Sequence, residues 1–204
     1  MMKAILYLGQ NSTLNKYDLK DSYLVGVDKG ALILAQNKIK MDLAVGDFDS
    51  IGNSDLSLIK NYSKDIKVLN PVKDDTDTRH AVELLYDKFD EILIIGGIQG
   101  KRIEHLIANI NLLYLYPKLK FIDDFTEIEV LIKDKNYKLD QYKYISFFAL
   151  KESIISLNGF KYNLDNYKLK PYDSLCISNE IKDNATIKIS GMVISIKSLE
   201  DNKK

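Results

Sequence analysis

AVGDFDS, residues 44–50, closes an apolar run that begins at Leu43 and sets two aspartates, Asp47 and Asp49, one residue apart at its mouth. A short apolar run that ends in glycine and charge reads as a buried strand opening onto a polar rim. In an extended turn alternate side chains share a face, so both carboxylates would point one way and their repulsion would need an offset. A solvated turn supplies one, and a divalent cation supplies another.

The same alternation runs outward in both directions. Strand signals fall at 3–8, 23–28, 43–46, 66–69 and 91–95, with one more at 119–122. Between them lie helical patterns at 30–37, 54–62 and 76–89, and one that runs from the glycine turn GGIQG (96–100) to about 116. The consecutive branched residues of 91–95 are the pattern of a strand buried on both faces. In the last helix Ile103, Leu106, Ile107, Ile110, Leu113 and Tyr114 form the expected core-facing stripe.

From 127 onward the rhythm changes to strands alone: EIEVLI (127–132), YISFFAL (144–150), SIISL (153–157), SLCIS (174–178), ATIKI (185–189) and MVISI (192–196). Turn residues such as Asn158 with Gly159, Lys170 with Pro171, and Ser190 with Gly191 separate several of them. Alternating strands and helices followed by strands only imply two domains. The expectation is α/β + β: an α/β domain with a mainly parallel sheet over 1–125, then an all-β, sandwich-like domain over 126–204.

Composition narrows the function classes. Lysines and arginines number 29 and acidic residues 29, so the net charge is zero. That argues against a broad electrostatic grip on nucleic acid or an anionic membrane. Cys176 is the one cysteine, so no intrachain disulfide forms, and its apolar setting suits a small core residue in a reducing compartment. The apolar part of the N-terminus is too short for a signal peptide, and no run approaches membrane-spanning length. The expected location is cytoplasmic.

In open parallel α/β sheets ligands bind beyond the carboxyl ends of the strands. Four such ends carry polar clusters: Asp28, Lys29 and Gly30; Gly46, Asp47, Asp49 and Ser50; Lys73, Asp74, Asp75, Thr76 and Asp77; and Gly96, Gly97, Gly100, Lys101, Arg102 and His105. Aspartate oxygens suit magnesium, which is usually held by one or two carboxylates plus substrate phosphates. Lys73, Lys101 and Arg102 are placed to balance phosphate charge, and the glycine turn lets backbone N–H groups approach a phosphate at a helix N-terminus. The turn fits neither the P-loop nor the dinucleotide fingerprint. Two plainer readings stand beside this one: a solvated Asx turn at Asp47 and Asp49, and helix capping by the aspartates of 74–77. Arg102, His105 and Asn109 share one helix face.

VDKGA (27–31), DLAVGDFDS (42–50), KDDTDT (73–78) and GGIQGKRIEHLIANI (96–110), in this order, resemble the motif set of the thiamine pyrophosphokinase family. ISLNGFKYNL (155–164), ISNE (177–180) and SGMVISI (190–196) are similar to parts of that family's second domain. The resemblance covers nearly the whole chain. It implies a homodimeric, magnesium-dependent enzyme that moves the pyrophosphoryl group of ATP to thiamine, giving thiamine diphosphate and AMP. By resemblance Asp47, Asp49 and Asp77 hold the metal, with Asp28 close by. Lys73, Asp74, Thr78, Arg102 and His105 surround the nucleotide or the reacting phosphates. Ser178 and Asn179 lie near the thiamine pocket, facing the partner's α/β domain. Asp47 or Asp77 is open as acceptor of the alcohol proton.

Three positions depart from the family's pattern: Lys29 and Lys101 stand where glycine is usual, and Glu104 where aspartate is usual. Other readings are a pyrophosphokinase for another alcohol such as 6-hydroxymethylpterin, or a nucleotide-binding sensor without turnover.

Overall fold

The computed structural model describes residues 2–9, 12–72, 75–100 and 102–200. The chain divides into two compact units, Met1–Asp124 and Phe125–Lys204.

The described residues of the first unit form six parallel strands. β1 (Lys3–Tyr7), β2 (Tyr23–Val27), β3 (Met41–Gly46), β4 (Ser63–Val68), β5 (Glu91–Ile95) and β6 (Leu119–Ile122) lie in the order β4-β3-β2-β1-β5-β6. Four helices connect them: α1 (Lys29–Gln36), α2 (Asn53–Tyr62), α3 (Asp77–Leu85) and α4 (Ile103–Leu115). Ile5, Ile92, Ile94, Ile95 and Val25 are fully buried, as expected of central strands covered on both faces. The chain steps outward from β1 to β4 and then returns to the other side of β1 as β5. The carboxyl ends of β1 and β5 therefore flank a topological switch point, where a crevice opens.

β1 and β2 are joined by a loop with a single 3-10 turn, Leu14–Lys16, rather than an α-helix. Asp124 pins this loop. It accepts from the Thr13 amide and the Tyr17 hydroxyl, both at 2.9 Å, and from the Thr13 hydroxyl, with Lys16 at 3.1 Å. Burial pushes the Asp124 pKa up, but the hydrogen bonds from Thr13, Lys16 and Tyr17 outweigh it and hold the carboxyl at about 2, below its usual 3.8. A depressed carboxylate pKa stabilises the fold above the ordinary value and loses that contribution as pH falls through the folded one. Asp124→Asn is therefore expected to cost about 1–3 kcal/mol at neutral pH. Urea melts should show the gap from wild type closing as pH drops from about 4 to about 2.

The described residues of the second unit form seven strands in two antiparallel sheets. β7 (Thr126–Leu131), β13 (Val193–Ser198) and β9 (Tyr144–Ala149) pair in that order. β11 (Leu164–Leu169), β10 (Ser153–Phe160), β12 (Ile181–Ser190) and β8 (Lys135–Tyr137) form the other sheet. Phe147, Phe160 and Tyr137 meet in the core at ring distances of 5.8 to 6.3 Å, and Tyr137 donates its buried hydroxyl to Ser195 at 3.0 Å. Beside this apolar centre sits a buried ion cluster. Lys197 of β13 contacts Glu127 of β7 at 2.9 Å and Asp140 at 2.7 Å, with its ammonium 4.6 Å from the Tyr142 ring.

Several local expectations change. Residues 174–178 are turn and bend rather than strand, held by an isolated bridge between Asn179 and Ile145. β8 and β11 carry strands that the alternation did not reveal, because their outward positions are polar and their runs short. α3 ends at Leu85, four residues short of the expected 89. The stripe expected on α4 is buried only in part, at Leu113 and partly at Leu106 and Ile110. Asn109, Leu112 and Leu113 are buried, whereas Ile103, Ile107 and Tyr114 are 64, 57 and 55% exposed. A helix apolar on most sides has no face fixed by hydrophobicity alone, and the inward face here includes the amide of Asn109.

Candidate active site

The polar rim assembles into one cleft of about 440 Å³ at the switch point. Asp28, Asp47, Asp49, Asp77, Thr78, Arg102 and His105 all line it, together with Leu8, Val27, Lys29, Ser50, Thr76, Gly97 and Asn109. Each strand delivers its part. Asp28 follows β2 and stands at the N-cap position of α1, Asp47 and Asp49 follow β3, and Asp77 opens α3. Arg102 stands at the head of α4 after the glycine turn that leaves β5. Lys73, Asp74 and Lys101 lie outside the described residues.

The turn at Asp47 is not extended. Phe48 between the two aspartates adopts φ 56° and buries its ring in the core of the first unit. Positive φ is rare for a bulky residue and is tolerated where the surroundings determine it. Here the buried ring anchors the loop and leaves both flanking carboxylates on the cleft. The Asp49 amide is 3.3 Å from Asp47 Oδ1, so an Asx contact and a site role coexist. Gly46 makes room for the third carboxylate: a Cβ there would lie 2.0 Å from Asp28 Oδ1.

The cap of α3 is Thr76, whose hydroxyl accepts from the Arg79 amide at 3.2 Å. Asp75 pairs with Arg79 at 3.0 Å, and Asp77 occupies the first helical turn. Threonine thus performs the capping expected of an aspartate, and Asp77 is directed to the cleft.

The glycine turn is held from behind. Gly97 has φ 79°, and Asn109 Nδ2 donates to its carbonyl at 2.7 Å. A Cβ on Gly97 would meet Leu8 at 2.5 Å and the Asn109 amide at 2.9 Å. The spacing in α4 places Asn109 on the face of Arg102 and His105; its contact with Gly97 is what the sequence left unread. Arg102 Nε donates to Glu104 Oε1 at 2.8 Å, and that bond leads the lowering of the Glu104 pKa below its usual value. Glu104, one of the departures from the family pattern, is therefore the partner of a cleft arginine.

The donor set fits a hard cation shared with a ligand. Among the described residues no group of three or more His, Cys, Asp or Glu is close enough to hold a metal alone. Magnesium bound through one or two carboxylates and completed by phosphate oxygens requires no such group.

A second cavity, of about 280 Å³, belongs to the second unit. Leu157, Tyr162, Leu164, Leu175, Cys176, Ile177 and Asn179 line it. Ser178, with φ 54°, is exposed beside this lining rather than part of it. Cys176 is buried, and burial pushes its thiol up to about 11, which leaves it an inert wall.

Residues 14–122 match the family described as thiamin pyrophosphokinase, catalytic domain, and residues 130–194 match thiamin pyrophosphokinase, vitamin B1 binding domain. The chain belongs to the thiamin pyrophosphokinase family. It is 34% identical over 202 residues to thiamine pyrophosphokinase of Bacillus subtilis strain 168, covering 92% of each chain. The crystal structure of the Bacillus subtilis thiamine pyrophosphokinase superposes with a TM-score of 0.86 at 31% identity, over 98% of this chain and all of that one. That of Geobacillus thermodenitrificans thiamin pyrophosphokinase gives 0.85 at 29%, over all of this chain and 99% of that one. Membership makes the chain an enzyme with the thiamine diphosphokinase activity of this family. No helix among the described residues is long and apolar enough to cross a membrane.

Proposed function

We propose that the cleft of the first unit binds ATP and magnesium, that the cavity of the second unit takes thiamine, and that the pyrophosphoryl group passes between them to give thiamine diphosphate and AMP. The observation that carries this reading is the convergence of Asp28, Asp47, Asp49, Asp77, Thr78, Arg102 and His105 on one cleft. Phosphoryl-transfer catalysis is mainly positioning and charge stabilisation, and this cleft offers both. One or two of Asp47, Asp49 and Asp77 would hold magnesium, which would supply positive charge to the transferring group.

The chain's own groups do the rest. Arg102 and His105 contact the polyphosphate, with Lys73 and Asp74 assigned beside them on sequence grounds. The Gly97 turn, braced by Asn109, brings backbone N–H groups to the phosphates. Asp47 or Asp77 accepts the proton of the hydroxyethyl group. The alcohol oxygen forms a bond to the β-phosphorus, and the bond from that phosphorus to the α–β bridging oxygen breaks. AMP departs with the bridging oxygen and its electron pair.

Apolar walls with one aromatic ring suit the flat pyrimidine and cationic thiazolium of thiamine. Transfer requires the alcohol oxygen to reach the β-phosphorus, so the two pockets must meet in the working enzyme. A homodimer in which Ser178 and Asn179 of one protomer approach the partner's cleft meets this need. The exposed stripe of Ile103, Ile107, Tyr114 and Leu115 on α4 supports a second copy as its cover. Light scattering should give a dimer at assay concentration, and an active monomer would refute the arrangement. The setting assigned is the cytoplasm, in keeping with the single buried Cys176.

The acceptor is tested by AMP release with thiamine, with 6-hydroxymethylpterin and with no alcohol. Release confined to thiamine is the expected result. Release with the pterin would reassign the acceptor, and ATP binding without release would make the chain a sensor.

A further inference from the structure

Asn179 is 2% exposed, and its side chain is committed to the backbone. Its Oδ1 accepts from the Tyr162 amide at 3.0 Å and the Glu180 amide at 2.9 Å. Its Nδ2 donates to the Tyr162 carbonyl at 2.7 Å. One side chain therefore holds both backbone groups of Tyr162. An amide oxygen has two lone pairs, and both are engaged here, so Asn179 has no acceptor left for a ligand amine.

The same turn is tied twice more. The Lys161 amide donates to the Glu180 carbonyl at 2.8 Å, and Lys161 Nζ lies 2.6 Å from Glu180 Oε1. Asn179 itself is clamped to β9, exchanging backbone bonds of 2.8 and 2.9 Å with Ile145. This anchoring holds the backbone of Tyr162, the one aromatic residue among the described residues lining the second cavity, with a residue exposure of 60%.

We infer that Asn179 is a positioning residue for acceptor recognition: it fixes the backbone of Tyr162, and with it the aromatic wall of the second cavity, and acts through that wall rather than through a hydrogen bond of its own to the acceptor. The inference rests on the assignment of that cavity to thiamine. A flat cationic heteroaromatic binds a fixed ring face better than a mobile one, because ordering the wall is already complete.

A double-mutant cycle separates the two roles. Asn179→Ala, Tyr162→Ala and the double variant are compared by steady-state kinetics with thiamine and ATP varied in turn. Asn179→Ala is expected to raise the thiamine KM about tenfold and leave the ATP KM unchanged. In the Tyr162→Ala background the same change should add less than about twofold, because the group it positions is gone. Additive effects would mean that Asn179 touches the acceptor and would overturn the inference, as would a defect confined to ATP or no defect in either single variant. Asn179→Asp keeps the two acceptor bonds and sets an oxygen against the Tyr162 carbonyl. It provides the same cycle if the alanine variant does not fold. Wild-type enzyme that releases no AMP with thiamine would instead sink the functional reading, a distinct outcome.

Discussion

Asp47→Asn and Asp49→Asn are each expected to lower AMP release by at least about 10²- to 10³-fold while the protein stays folded. Both carboxylates line the cleft, and the loop between them is anchored by buried Phe48 as well as by the Asx contact of Asp47. Asparagine keeps the shape and one acceptor oxygen, enough for the Asp49 amide bond at position 47, and removes the charge. The loss falls on cation binding and on stabilisation of the transferring group, where little else substitutes. Circular dichroism and melting curves matching wild type, with turnover collapsed at saturating magnesium, is the expected pair of results. Near-normal turnover in both variants would remove the metal assignment.

Lys197→Ala is expected to destabilise the protein by about 3–5 kcal/mol, the usual cost of stripping one partner from a buried ion cluster. The side chains of Lys197 and Glu127 are 11% and 10% exposed, and they meet at 2.9 Å. Burial pulls the lysine pKa down, but the hydrogen bonds and charges of Asp140 and Glu127 more than compensate, and the net shift is upward. The alanine variant removes the cation and leaves the Glu127 carboxylate buried without it. Lys197→Met together with Glu127→Gln, which removes both charges and keeps volume, should cost far less. Equal losses in the two variants, measured by urea denaturation, would show that packing rather than charge sets the stability of this corner.

The parallel half was legible because its physics is periodic. Branched runs such as 91–95 declared buried strands, and each polar cluster following a strand identified a loop on one rim. That is why polar residues from separate strand ends, from Asp28 to His105, are legible as one rim in the sequence. What stayed hidden depends on side-chain contacts across the chain. The backbone turn at Phe48, the room that Gly46 leaves for Asp28 and the grip of Asn109 on Gly97 leave no periodic trace. Only part of the α4 stripe faces inward for the same reason, since the helix is apolar on most sides and its buried face includes the Asn109 amide. In the second unit SLCIS looked like a strand by its branched residues, yet it forms the turn that carries Asn179. The bonds from Asn179 to Tyr162, 17 residues away in sequence, could not be inferred from composition.

The most direct test of the central claim is product analysis with ATP labelled at the β-phosphorus, in the presence of magnesium and thiamine. Pyrophosphoryl transfer predicts label in thiamine diphosphate, unlabelled AMP in equal amount, and neither product without thiamine. Labelled ADP formed with thiamine monophosphate, or labelled pyrophosphate released without an acceptor, would contradict it.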